Sequence, residues 1–294
     1  MTIPEQENAA CAVLGMYDWP ELTAVTNELW QHLAVPLSEA GLAAPTTLER
    51  ERPLLETWLD PELVLGQTCG FPYLAHLQDS TTLLGTPDYA VDGAEQGYYQ
   101  SLLISHKDNE HVGPLHFPGS VLAVNGVNSQ SGFNAIRLYL AELSREGSIE
   151  TRSDNTSPPF RSILHTGSHR ASLQAVARKQ ADLCAVDPVS FALARDFDAD
   201  VLKDLQVTGR TPSVPALPLI CSNRNAERVE LDSLRKSLRQ CFDRLPATVR
   251  KPLHLRGLHF LDDSVYQLLR EQTRTAIDMG FDSLAQNQED APAV

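Results

Sequence analysis

The densest group of residues able to do chemistry is Asn125-Gly126-Val127-Asn128-Ser129-Gln130-Ser131-Gly132, which joins a flexible turn, two hydroxyls and a helix start directly after an apolar run. First-turn amides of a helix have no acceptor within it and sit at the positive end of the helix dipole. Such a turn therefore attracts a phosphonate, phosphate or carboxylate. Ser129 and Ser131 would add uncharged donors. An ordinary helix cap uses the same residue types, and both readings stay open. The glycine spacing is not that of the phosphate loop of nucleotide hydrolases and the required lysine is missing, which removes that chemistry.

A second junction, His165-Thr166-Gly167-Ser168-His169-Arg170, opens an amphipathic segment containing Leu173, Val176 and Ala177. Two helix ends of this kind facing each other would clamp an anion, with His169 as a further donor. Arg170 either reaches the anion or faces solvent. In Met16-Tyr17-Asp18-Trp19-Pro20-Glu21, Asp18 can cap a helix with Pro20 in its first turn and Glu21 completing a capping box. Tyr17 and Trp19 beside the same strand end can wall a pocket or pack in the core. Gln67-Thr68-Cys69-Gly70-Phe71-Pro72-Tyr73 repeats the pattern, with Thr68 as cap or donor and Tyr73 as a wall. Asp187, between the run Leu183 to Val186 and Pro188, is either a further cap or a carboxylate that reads an ammonium or hydroxyl on the ligand.

The elements that must position these residues alternate. Strands are expected at Ala12–Met16, Leu63–Gln67, Val121–Asn125, Ser162–Thr166 and Ala181–Val186. Helices are expected over Trp19–Leu33, after Thr68, and over Phe133–Leu143 and His169–Lys179, with another after Pro188. This predicts an α/β fold with a largely parallel sheet and five helix N-termini along one edge. A Pro-rich passage, Thr211–Pro218, precedes the apolar run ending at Cys221, and Leu231, Leu234, Leu238, Cys241, Phe242 and Leu245 form a helical core stripe. Asn287–Val294 is expected to fray.

The chain has 294 residues with a net charge of −14, which opposes a phosphate-backbone footprint and argues against nucleic acid or an anionic membrane as partner. No apolar run approaches the ~18 residues of a membrane span. Met1–Ala10 has neither a positive start nor an apolar segment, so the sequence as written is expected to stay in the cytoplasm, and to be periplasmic if its start lies upstream. Cys11, Cys69, Cys184, Cys221 and Cys241 are scattered and read as free thiols. His106, His111 and His116 recur every fifth residue, a spacing that fits neither a helix face nor a strand face and argues against a metal site. No cofactor fingerprint is present.

From the opening strand to about Cys221 the order of motifs resembles the phosphonate-binding family of type II periplasmic binding proteins. Ser129-Gln130-Ser131-Gly132 resembles that family's Ser-Thr-Ser-Gly anion turn, with Gln130 replacing the usual Thr. Gly167-Ser168-His169 resembles its second ligand-contacting turn, and the segments at Met16–Glu21 and Gln67–Gly70 resemble a phosphonate or phosphate transporter-like subgroup. The resemblance implies two α/β lobes, 1–100 with 212–294 and 101–211, closing as a monomer over a small anion, and an ABC transporter permease as partner. The implied anion is phosphonate-like or phosphate-like, with an amino group where Asp18 or Asp187 would read it. An enzyme on the same fold, with lyase chemistry on a small carboxylate or phosphorylated metabolite, is the alternative.

Overall fold

A computed structural model describes residues 9–110, 114–149 and 159–284 of the chain. In chain order, β1 (Cys11–Val13), β2 (Leu63–Gln67) and β3 (Thr81–Tyr89) start a first sheet. β4 (Ala94–Glu95) and β5 (Tyr98–Tyr99) belong to a small separate sheet. The chain then enters a second five-stranded sheet through β6 (Leu102–His106), β7 (Val121–Val124), β8 (Ser162–His165), β9 (Leu183–Val186) and β10 (Leu205–Arg210). β11 (Val214–Pro215) completes the small sheet on the return, and β12 (Leu219–Ser222) and β13 (Leu255–His259) rejoin the first. The strand orders are β1-β2-β12-β3-β13 and β10-β6-β9-β7-β8, so the molecule has two α/β lobes with the chain crossing between them twice. The two crossings run side by side, β11 pairing antiparallel with β5.

Both five-stranded sheets are mixed, where a largely parallel one was expected. β1 pairs in parallel with β2, and β7 with both β8 and β9, but β12, β13, β6 and β10 all pair antiparallel to their neighbours. Parallel neighbours need a crossover helix. β6 and β12 arrive instead from the other lobe, each through a crossing segment, and run against the strands they join. For the same reason the five strand-to-helix junctions do not share one sheet edge. Those after β1 and β2 face the cleft from the first lobe, and those after β7, β8 and β9 face it from the second.

The helices follow the apolar spacing with shifted starts. Thr23–Glu39 is preceded by a 3-10 turn at Pro20–Leu22, and Gln130–Asn134 is a π-turn leading into Ala135–Arg145. The helices His169–Ala177, Pro188–Phe197 and Leu231–Arg244 follow the same spacing, the last burying Leu234, Leu238 and Phe242. Two expected caps are not made. The residues before the turns at Pro20 and Gly70 are Trp19 and Cys69, and neither Asp18 nor Thr68 bonds a first-turn amide. Ile104, Ala123, Val176, Cys184 and Val186 centre the core of the second sheet, and Leu33, Leu63, Leu65, Leu84 and Ile220 that of the first. The cysteines are free thiols. Asn287–Val294, His111 and the side chain of His116 lie outside the described residues. Among the described residues no group of three or more His, Cys, Asp or Glu is placed to hold a metal ion.

Candidate functional site

β9, β7 and β8 are neighbours in the second sheet, so the helices that follow them start side by side. Each start is capped by the side chain that closes the preceding turn. Ser129 accepts from the Gly132 amide at 3.0 Å, and Ser168 from the Ala171 amide at 3.1 Å. Asp187 Oδ1 accepts from the Val189 and Ser190 amides at 3.0 and 2.9 Å. The two serines are uncharged and leave the positive character of their helix ends available to a ligand, whereas Asp187 neutralises its own. His169 and Arg170 lie in the first helical turn, where amides lack an intrahelical acceptor, and both residues stand on the cavity wall.

These ends open on a cavity of about 330 Å³ between the lobes. The second lobe contributes Asn125 to Ser129, Ser131, Gly167 to Arg170, Asp187 and Ser190. The first contributes Met16, Tyr17, Trp19, Leu54, Leu55, Trp58, Cys69, Pro72, His76 and Leu217. Of the residues expected in the site from sequence, Tyr17, Trp19, Ser129, Ser131, Ser168, His169 and Asp187 meet there.

The centre is polar and tightly coupled. Ser131 Oγ lies 2.8 Å from His169 Nε2, and that same nitrogen is 3.3 Å from Asp187 Oδ2. A catalytic triad needs the hydroxyl on one ring nitrogen and the carboxylate on the other, so that a proton passes through the ring. Here both fall on one nitrogen, an arrangement that orients donors but relays nothing. Burial holds the His169 pKa below its ordinary value, with the Asp187 charge opposing the shift. Across the cleft the Tyr17 hydroxyl donates to Asp187 Oδ1 at 3.1 Å. Burial first, and the Asp187 charge second, push the Tyr17 phenol far up, so it remains a donor at all ordinary pH. Asp187 is buried and accepts from Tyr17 and two helix amides. Its charge is therefore largely compensated before any ligand arrives.

The other expected residues lie off the cavity wall. Asp18 is turned to Arg50, at 2.6 Å. The Thr68 hydroxyl is buried against the Cys69 carbonyl at 3.4 Å. The Tyr73 hydroxyl donates to Asp263 at 2.8 Å, at the edge of a different groove. Gln130 is fully buried, its side-chain oxygen accepting from Asn134 at 2.9 Å and its backbone N–H donating to Cys69 Sγ at 3.4 Å. Gly132 is required for close approach, because a Cβ there would fall 1.9 Å from Asn125 Oδ1 and 3.2 Å from His169 Cε1.

The lobes also grip each other at the rim. Arg170 is anchored to Asp198 at 2.5 and 2.7 Å in its own lobe, and reaches Glu21 of the first lobe at 2.9 and 3.2 Å. Its guanidinium lies 4.7 Å from the centroid of the Trp19 ring. His254 and Asp196 make a second cross-lobe pair at 2.8 Å. Sequence reasoning passed over Leu54, Leu55 and Trp58 on the helix Leu54–Trp58, because a short apolar helix reads as core unless its packing partner is known. Asn125 was visible within the turn but was not singled out.

A family model described as the periplasmic substrate-binding protein of phosphonate ABC transporters matches residues 62–266. A search of the curated proteins returns no match. Among solved structures, a binding protein component of an ABC phosphonate transporter from Pseudomonas aeruginosa is similar with a TM-score of 0.67 and 15% identity, covering 92% of this chain and 86% of that one. A Prochlorococcus marinus protein in complex with methylphosphonate gives a TM-score of 0.64 and 12% identity, over 90% and 96% of the two chains. A Xanthomonas citri protein bound to ATP gives 0.62 and 17%, over 92% and 96%.

Proposed function

The chain belongs to the phosphonate-binding family of periplasmic ABC transporter substrate-binding proteins, and from that premise we propose that its cleft captures a small phosphonate-like or phosphate-like anion by closure of the two lobes. The fold is the type II periplasmic-binding-protein fold, and the family is one of substrate-binding proteins, not of enzymes. The observation that carries the ligand class is the pair of serine-capped helix starts, at Ser129 and Ser168, on one cavity wall with the Ser131 hydroxyl hydrogen-bonded to His169. Two uncharged caps, first-turn amides and a hydroxyl suit a tetrahedral oxyanion. The lobes would divide near 100/101 and 211/212, where the chain crosses, and a monomer would present its closed form to an ABC permease. Among the described residues no helix is long and apolar enough to cross a membrane.

The amino group expected on the ligand depended on Asp18 or Asp187. Arg50 takes Asp18 out of the cavity, which leaves Asp187 alone to meet an ammonium. The test is calorimetric titration of methylphosphonate, inorganic phosphate and 2-aminoethylphosphonate into the wild type and the Ser129→Ala/Ser131→Ala double variant. Loss of two neutral donors should weaken binding by roughly 5-fold to 150-fold, at ~0.5–1.5 kcal/mol each. Unchanged affinity in a folded double variant would refute the assignment, as would a wild type that binds none of the three.

A further inference from the structure

Resting on the anion-binding reading, we infer that the ligand carries an apolar group, a short alkyl chain or an aromatic ring, on its anionic head. The cavity of about 330 Å³ falls in the range of roughly 300–1,000 Å³ typical of pockets for drug-sized molecules, and so leaves room beyond a bare tetrahedral oxyanion. That room is bordered by Met16, Leu54, Leu55, Trp58, Val127 and Leu217, all on the cavity wall. The wall is built, not incidental. Trp58 Nε1 donates to the Gln67 carbonyl at 3.1 Å, which satisfies the one polar atom of the ring and leaves its carbon surface for packing and for the cavity. Gly15 brings the chain so close to the helix Leu54–Trp58 that a Cβ there would lie 2.9 Å from Leu54 Cδ2. Among the described residues this side of the cavity has no carboxylate to receive an ammonium. Asp18 is bonded to Arg50 and absent from the wall, and the Tyr17 hydroxyl already serves Asp187. Asp187 itself takes three neutral donors on Oδ1 and faces His169 with Oδ2. An ammonium would have to compete with those groups and leave its water shell beside Leu54, Leu55, Val127 and Leu217, which disfavours it against a hydrocarbon tail.

The experiment is a calorimetric series of methyl-, propyl-, phenyl- and benzylphosphonate, with 2-aminoethylphosphonate as the polar member of matched size. Affinity should rise along the series, by roughly fourfold per methylene fully buried, and propylphosphonate should bind more tightly than 2-aminoethylphosphonate. Leu55→Asn and Val127→Asn, at half-buried positions on a short helix and a turn, should each flatten the gain from methyl- to benzylphosphonate. Binding of methyl- or 2-aminoethylphosphonate with rejection of the larger members overturns the apolar tail alone and leaves the anion site standing. A wild type that binds no member of the series overturns both. A gain along the series that survives in both variants places the tail elsewhere and overturns the inference.

Discussion

The second lobe meets the cleft with three helix starts and their caps, Ser129, Ser168 and Asp187, whereas the first meets it with Met16, Leu54, Leu55 and Trp58. The difference follows from topology. Neighbouring parallel strands β9, β7 and β8 bring three helix N-termini to one place, and β1 and β2 of the first lobe lead instead into a 3-10 turn and a short helix that no side chain caps. One wall thus offers aligned dipoles and donors, and the other offers carbon surface. A single cleft can then hold the charged end of a molecule against one lobe while desolvating the rest against the other.

The comparison is broken most severely at Asp187, which belongs to the polar wall but bonds Tyr17 of the opposite one. Asp187→Ala would strip a cap from two amides and leave the buried Tyr17 hydroxyl without its acceptor. Thermal and chemical unfolding should show a loss of about 2–4 kcal/mol, with Asp187→Asn losing clearly less because Asn also caps. A loss near zero in Asp187→Ala would mean that Asp187 is not what holds the two walls together.

His169 sharpens the contrast through pH. Its folded pKa lies below the unfolded value of about 6.5, so the free protein loses stability as pH falls below that value. An anion on the polar wall favours the imidazolium, so binding raises the His169 pKa and that ring takes up a proton in the same window. Calorimetry in buffers of different ionisation enthalpy should detect that proton in the wild type, and His169→Gln should abolish it. Arg170→Ala cuts the rim contact to Glu21 and Trp19, an exposed pair for which roughly threefold weaker binding is expected, seen mainly as faster dissociation in stopped-flow traces. The smallest change in affinity is expected for Gln130→Thr, within about threefold by titration, since the side chain is buried against Asn134 and stands off the cavity wall. A large gain would show that a hydroxyl at 130 does reach the ligand.

Much of the polar wall could be read from the sequence because its signals are local. A hydroxyl or carboxylate between an apolar run and an amphipathic segment marks a cap wherever it occurs, and Ser129, Ser168 and Asp187 all cap as that pattern predicts. The same signal failed at Asp18 and Thr68, where a long-range partner, Arg50, or a buried carbonyl took the side chain. The apolar wall was illegible for a different reason. Leu54, Leu55 and Trp58 differ from core residues only in what the opposite lobe leaves uncovered, and no local pattern records that. Likewise the strand-helix alternation identified the α/β class, but it could not show that β6 and β12 enter their sheets antiparallel from across the molecule.

The central claim, that the anion sits between the two serine-capped turns of the second lobe, is tested most directly by a crystal structure of the protein grown with methylphosphonate. The account predicts the phosphonate oxygens within hydrogen-bond distance of Ser131 Oγ and of the first-turn amides after Ser129 and Ser168, with the methyl group directed toward Leu54, Leu55 and Trp58. A phosphonate bound with its oxygens against the first lobe, or outside the cleft, would contradict it.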